Sequence, residues 1–494
     1  MQHTNAPQVT PFVNRTRELA RLDDWWGKPG ARLGLVWGRR RVGKTLLLQR
    51  FAEGRARTVY HTFGRRAASD ELAVLAQSWR PEAGAGSEDW DLPTDSWEHL
   101  LAALARESRS QPILVILDEF QEGVSASPEL PAVIRALWDD PRRRGQLRLL
   151  LCGSAVRTMS AMQEERAPLY GRIDLSLLVH PFEPHEAALM LPKLTPYDRM
   201  VVWGLLGGMP LYLSLWNQDA DDNVFANILE LFCTPGGRLL AEGDLAVRGE
   251  TLADLEVQVL NAIALGHTRH NEIHNVVRSE PTRQLDRLIE LHLVERVQPV
   301  TEEGGRSRRR IYRIADNFFA FWLGLILPQR ASIDRGLGGG VATVMQPHLH
   351  DFLGPRWEEA FRIHLRRLAA AGTFGNDIVA VGPFWAHERP SSSAADDDPG
   401  TEIDAVMLAG MQRDAVLVGE AKLRHTVDAL PLLRSLERKA LRLPRRSPRM
   451  RYAVAAPRAV EHAPSEVLTV TAHDVFGLEG EPPPRYPRLS HVVE

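Results

Sequence analysis

Residues Leu33 to Phe51 read LGLVWGRRRVGKTLLLQRF, and the fold turns on this stretch. Leu33–Trp37 is a short apolar run between Arg32 and Gly38, the profile of a buried strand. Gly38, Arg39, Arg40, Arg41, Val42, Gly43, Lys44 and Thr45 follow and fit G-x-x-x-x-G-K-[ST] at every fixed position. Leu46–Phe51 then opens a helix. A phosphate chain needs backbone N–H groups pointing inward, which requires loop conformations that Gly38 and Gly43 allow. Lys44 supplies a point charge for the β- and γ-phosphates, and Thr45 offers a hydroxyl to Mg²⁺. The helix N-terminus adds its partial positive charge. Strand before and helix after turn the motif into an expected nucleotide site.

A second apolar run, Ile113-Leu-Val-Ile-Leu, ends in Asp118-Glu119. This is the pattern of a central parallel strand whose carboxyl end delivers two carboxylates to a ligand crevice. Asp118 is the expected partner of Mg²⁺, and Glu119 the group that polarises an attacking water. A third buried run, Arg148–Gly153, ends at Ser154, placed to sense the γ-phosphate or the water. Arg172, after a Tyr-Gly turn, is a candidate arginine finger or sensor, with a surface arginine in a solvated loop as the alternative. Between these lie an expected strand at Thr58–Phe63, a helix at Asp70–Trp79, a Gly/Pro/acidic loop at 81–95 and a helix at Ser96–Glu107 with Ser96 as N-cap.

At 494 residues the chain is expected to hold roughly three or four domains. A hydrophobic content of 44% and a charged content of 25% are ordinary for a soluble globular protein. A net charge of −3 gives no global basic field, so attraction to nucleic acid must come from local patches. Cys152 and Cys233 stand in apolar contexts without metal-ligand spacing, which fits a reducing cytoplasm. The N-terminal residues lack the apolar core of a secretory signal, and Phe318–Leu327 is only half a membrane span, so no membrane contact is expected.

The segments FVNRTREL, WGRRRVGKT, ILDEF, CGS, PLYGR and GGMPLYL together resemble the archaeal-type ATPase family, a branch of the AAA-like/STAND P-loop NTPases. The resemblance covers residues 12 to about 213. It implies ATP as ligand, Mg²⁺ as cofactor and an ATP-hydrolysing activity. It also implies that Pro210, in Gly208-Met-Pro210, lies against the adenine.

Residues 183–249 read as a helical lid broken by prolines. Residues 250–328 read as a winged helix: helices marked by Leu252–Ile263, Asn271–Val277 and the run after Pro281, then wing strands Leu293–Pro299 and Arg309–Ile314. Arg283, Arg287 and the Arg306, Arg308, Arg309, Arg310 group can meet phosphates, although such a module can equally serve internal packing. The Gly-rich stretch within 329–349 is the expected linker, and residues 390–399 are an acidic low-complexity insertion.

The last expected domain, 350–494, centres on a hairpin of Glu402–Leu408 and Ala415–Lys422. A turn symmetric about Gln412 sets Asp404 opposite Glu420, and period-two alternation puts Lys422 on the face of Glu420. Opposed carboxylates repel unless a divalent cation lies between them, and a lysine beside them can orient water. This D…E-x-K pattern resembles PD-(D/E)xK nucleases and the C-terminal domain of many archaeal-type ATPases. The resemblance implies a restriction-endonuclease-like α/β fold and adds Glu358, after Trp357, to an Mg²⁺ or Mn²⁺ site with Asp404 and Glu420. Arg434, Arg438, Lys439, Arg442, Arg445, Arg446, Arg449 and Arg451 then form a phosphate-tracking run on a helix and loop.

The expected molecule is thus an α/β P-loop ATPase with lid, winged helix and nuclease-like domain, coupled to DNA binding and phosphodiester cleavage. Two alternatives stand beside it: a STAND-like switch whose nuclease-fold domain only binds, and a winged-helix transcription regulator. Self-association into a homo-oligomer stays open.

Overall fold

Strands β1 (Arg32–Trp37), β2 (Thr58–Thr62), β3 (Ile113–Asp118), β4 (Leu147–Gly153) and β5 (Leu175–Leu178) form one parallel sheet in the order β2-β3-β4-β1-β5. Every residue of β3 and of β4 is buried. That burial explains why both read as unbroken apolar runs rather than as alternation. Helices Ala68–Ser78, Trp97–Glu107 and Leu130–Asp139 cover the sheet, and Leu75, Leu100, Leu104, Ile134 and Leu137 share one core cluster with Leu33, Leu35, Val115 and Leu149. Ser96 accepts a hydrogen bond from His99 N and caps its helix as expected.

The computed structural model describes residues 12–79, 92–249, 252–302, 309–386 and 401–482. Most of the expected surface loop at 81–95, the wing tip with Arg306 and Arg308, and the insertion at 390–399 lie outside the described residues. The chain divides into two units: Met1–Pro181 with Met209–Leu211, and Phe182–Gly208 with Tyr212–Glu494. Met209–Leu211 therefore belongs with the parallel sheet, not with the helices around it in sequence. Among the described residues, no helix is long and apolar enough to cross a membrane.

The second unit opens with helices, among them Pro196–Leu206 and Asn223–Phe232. Three further helices, Asp254–Ala264, His270–Val277 and Thr282–Glu290, precede an antiparallel hairpin of β6 (Val294–Val297) and β7 (Ile311–Ile314). The hairpin docks on the following sheet: Val300 N donates to Pro383 O at 2.8 Å, and Trp385 Nε1 donates to Arg309 O at 3.0 Å. A second five-stranded sheet follows, built from β8 (Ile378–Ala386), β9 (Thr401–Ala409), β10 (Asp414–Ala421), β12 (Arg446–Ala455) and β14 (Leu468–Val470), in the order β14-β12-β10-β9-β8. Short strands β11 (Thr426–Asp428) and β13 (Ala459–Glu461) pair separately. The β8-β9-β10 part is antiparallel, whereas β12 and β14 run parallel to β10. Helices His348–Ala370 and Ala429–Ala440 take opposite faces. Phe361 stands over Gly419, while Leu436 and Ala440 pack with Val406 and Val418.

Two expectations change here. The Gly-rich stretch is not an extended linker but two short helices, Arg330–Asp334 and Gly338–Met345, anchored by buried Ile333, Ala342 and Met345. Gly338 reflects close packing, because a Cβ there would meet Cys233 O at 1.6 Å. The basic run is not on a helix and loop alone, since Arg446, Arg449 and Arg451 stand on β12. The register between β10 and β12 slips between Ala415–Arg446 and Leu417–Arg451, so the chain from Ser447 to Met450 bows out of the ladder.

The glycine pair gives a direct check. Gly338→Ala should lower the thermal midpoint by an amount equivalent to roughly 1–3 kcal/mol, the usual cost of overpacking. Gly339→Ala, with no atom within 4 Å of its Cβ, should leave the midpoint unchanged or raised. Equal behaviour of the two variants in a thermal melt would contradict this packing.

Candidate functional site

The carboxyl ends of β1, β3 and β4 bring their polar residues to one crevice, because all three strands run the same way. Between β1 and the helix Lys44–Ala52, the backbone takes positive φ at Gly38 (150°), Arg41 (68°) and Gly43 (91°). A Cβ on Gly38 would sit 2.5 Å from Val179 O, so only glycine fits there. Lys44 is buried, and its Nζ donates to Gly38 O at 2.9 Å and Arg39 O at 3.0 Å. Burial holds its pKa below the ordinary lysine value, opposed by the nearby Asp118 and Glu119 carboxylates. Val42 is buried, while Arg40 and Arg41 are exposed around the loop.

Asp118 accepts three hydrogen bonds. Thr45 Oγ1 and Tyr60 OH both donate to its Oδ2 at 2.9 Å, and Glu119 N donates to Oδ1 at 2.9 Å. Burial and that carboxylate hold the Tyr60 hydroxyl protonated far above its usual range. Burial does the same for the Cys152 thiol, the next group beside Asp118. Ser154 Oγ donates to Glu119 Oε2 at 2.8 Å. Pro210 also arrives here: a Cβ on Gly43 would lie 3.7 Å from Pro210 Cγ.

A family described as an ATPase domain predominantly from Archaea matches residues 12–215. A solved Walker-type ATPase of Pyrococcus abyssi has the same fold, with a TM-score of 0.50 and 22% identity over 63% of this chain and 96% of its own. The chain is a P-loop ATPase.

Two curated relatives come from Methanocaldococcus jannaschii. One, an uncharacterised protein, is 24% identical over 415 residues, covering 82% of this ATPase and 86% of the relative. The other, an uncharacterised ATP-binding protein, is 45% identical over 47 residues, 10% of this chain and 80% of its own. Residues 322–436 match a family of archaeal and bacterial proteins of unknown function.

Two residues of the crevice had no role assigned from the sequence. Arg15 is buried at 4% exposure, in left-handed conformation, and donates to Val42 O and His180 O at 2.8 Å each and to Glu18 Oε1 at 2.7 Å. Arg15 stands within the FVNRTREL segment, and only its burial reveals the clamp. Tyr60 read as an ordinary strand residue. Arg172 has two readings in the sequence. Its Nε and Nη2 bind Asp139 at 2.6 and 3.0 Å, and its Nη1 donates to Pro168 O and Tyr170 O. In this structure the guanidinium is held at the surface by Asp139 and two carbonyls, as in the surface alternative.

The ATPase also carries the expected hairpin cluster. The register Val418–Val406 and Gly419–Ala405 sets Asp404 opposite Glu420. Both are buried, at 7% and 5% exposure. Lys422 Nζ lies 2.6 Å from Glu420 Oε1. Lys439, read above as part of the basic run, instead donates to both oxygens of Glu420 at 3.0 and 2.8 Å. It reaches them because the Ala429–Ala440 helix covers that face of the sheet. Ala421 N donates to Asp404 Oδ2 at 2.8 Å, and Arg362 binds the Asp404 carbonyl rather than its carboxylate.

Burial, then the Asp404 charge, pushes the Glu358 carboxyl above its ordinary range; burial and Glu420 do the same to Asp404. Three carboxylates around one cation were expected. Among the described residues, however, no group of three or more His, Cys, Asp or Glu is arranged to hold a metal ion. Glu420 faces two ammonium groups instead.

The raised Glu358 pKa has a sign that can be checked. Its folded pKa exceeds its unfolded value, so the folded state binds the proton more tightly and loses stability as pH rises out of the glutamate range. Glu358→Gln cannot ionise. It should raise the thermal midpoint more at about pH 8 than at about pH 5, and an equal shift at both would contradict the assignment.

Proposed function

We propose that this P-loop ATPase couples ATP hydrolysis to the binding of nucleic acid by its second unit, with phosphodiester cleavage at the Asp404–Glu420–Lys422 cluster. The observation that supports the hydrolytic half most strongly is the buried ammonium of Lys44. It is satisfied by two neutral carbonyls, so its full charge stays available to phosphate. Gly38, Arg39, Arg40, Arg41, Val42 and Gly43 shape the loop whose N–H groups surround the phosphates, and Pro210 flanks the base side. The Thr45 hydroxyl gives its proton to Asp118 and keeps its lone pairs for Mg²⁺, so the residues present fit that ion. Bound there, Mg²⁺ neutralises charge on the phosphate oxygens. Glu119 is the base that orients water, and Ser154 fixes it. Lys44→Ala should abolish nucleotide binding, whereas Glu119→Gln should bind ATP and fail to hydrolyse it. Hydrolysis by Glu119→Gln at the wild-type rate would remove Glu119 from this role.

For nucleic acid, the support is charge. Arg434, Arg438, Arg446, Arg449 and Arg451 are exposed on the Ala429–Ala440 helix and β12. The three-helix-and-hairpin module, which we read as a winged helix, offers less. Its Arg287 is bound to Glu256 and Arg296 to Asp286, and its wing packs on β8. Packing is therefore its better-supported role. Each phosphate contact contributes about 0.9 to the slope of log affinity against log salt, so replacing Arg446, Arg449 and Arg451 should flatten that slope by roughly 2–3 units. An unchanged slope would return the run to solvent.

For cleavage, the support is the pair of opposed carboxylates on one face of a sheet with a fold we read as restriction-endonuclease-like. Asp404 and Glu420 would hold a divalent cation, with Glu358 adjoining. A second reading, an ATP-driven switch whose nuclease-fold domain only binds, is favoured by one observation: Lys439 already neutralises Glu420. Mn²⁺-dependent cleavage of plasmid by the full chain, lost in Asp404→Ala while ATP hydrolysis persists, selects the first. Binding without cleavage selects the second.

A further inference from the structure

We propose that Gln121 is a positioning residue that sets the Glu119 carboxylate for attack by water, an inference resting on Glu119 as the water-orienting base. Glu119 leaves β3 in a left-handed conformation, φ 53°, an uncommon state for a residue with a side chain. Gln121 stands two residues on, in the helix Phe120–Ala126, and its amide runs back over the carboxyl end of β4. Its Nε2 donates to Glu119 Oε2 and lies 3.3 Å from Ser154 Oγ. Its Oε1 accepts from Ser154 N at 3.3 Å. Ser154 Oγ in turn donates to Glu119 Oε2 at 2.8 Å. Three side chains thus close a ring across the ends of two strands.

The distribution of donors gives the ring its meaning. Both side-chain donors fall on Glu119 Oε2, while Oε1 receives no hydrogen bond from the described residues. One oxygen is fixed, and the other keeps its lone pairs for a water proton. An amide is suited to this task because it donates to Glu119 and accepts from Ser154 N without bringing a charge. A carboxylate at 121 would repel Glu119, and a cation would lower its basicity. The space is reserved by Gly153, where a Cβ would fall 2.5 Å from Gln121 Oε1 and 2.4 Å from Met159 Sδ.

The test uses the full chain and separates positioning from folding. Gln121→Met, which keeps length but loses both polar atoms, should lower kcat about tenfold or more, within the range that acid–base catalysis contributes. ATP affinity, read with a fluorescent nucleotide, should stay within about twofold. In the Glu119→Gln background the same substitution should lower the residual rate no further, because the group it positions is gone. Unchanged kcat in Gln121→Met, a parallel loss of ATP affinity, or effects that multiply in the double variant would overturn the proposal. If Glu119→Gln alone still hydrolyses ATP, the base assignment fails. If Glu119→Gln is inactive and Gln121→Met is not, only the role of Gln121 fails.

Discussion

A phosphate-binding loop must keep its N–H groups aimed inward before any phosphate arrives, and here one buried guanidinium bears much of that task. Arg15 joins the carbonyl of Val42, inside the loop, to the carbonyl of His180, which follows β5. Each bond from a charged donor contributes about 1.5–3 kcal/mol, enough to offset the positive φ of Arg41, which costs on the order of 1–3 kcal/mol. Gly38 and Gly43 supply the remaining turns without a Cβ to accommodate. The helix Thr16–Gly27 carries Arg15 at its start and so links the N-terminal segment to the loop's shape.

Two lysines, Lys44 buried and Lys439 half-buried, show how the same side chain can imply opposite states. Lys44 is satisfied by peptide carbonyls, which stabilise the ammonium without cancelling its charge. Lys439 is satisfied by the carboxylate of Glu420, which cancels it. The first arrangement attracts an anionic ligand. In the second, ammonium groups already occupy Glu420, and a divalent cation would have to compete with them. The hairpin geometry itself follows the alternation rule, since Asp404 and Glu420 share the face of Val406 and Val418. What alternation leaves out is the helix that covers that face.

That contrast marks how far the amino-acid sequence could be read. The apolar runs of β1, β3 and β4 are legible because strands buried on both faces leave no polar alternation to confuse them. Asp118, Glu119 and Ser154 follow from where those runs stop. Lys439 was not legible: helical spacing sets it among arginines, and only tertiary packing turns it inward. Which of the two readings of Arg172 applies was not legible, because its partner, Asp139, lies at the end of a helix 33 residues away. The Gly-rich stretch near Gly338 looked like a linker because glycine serves both flexibility and close approach, and Cys233 O decides which applies. Arg15 and Gln121 belong to the same class, polar residues whose meaning depends on contacts distant in sequence, to Val42 and His180 for the first and to Ser154 for the second.

The most direct test is a crystal structure of the full chain with Mg²⁺ and a non-hydrolysable ATP analogue. The account predicts triphosphate within the Gly38–Thr45 loop, with Lys44 Nζ turned from the Gly38 and Arg39 carbonyls onto phosphate oxygens. It also predicts that Thr45 keeps its bond to Asp118, and that Glu119 Oε1 faces a water beside the γ-phosphate. A nucleotide bound elsewhere, or Lys44 still on its carbonyls with Glu119 facing away from the γ-phosphate, would contradict it.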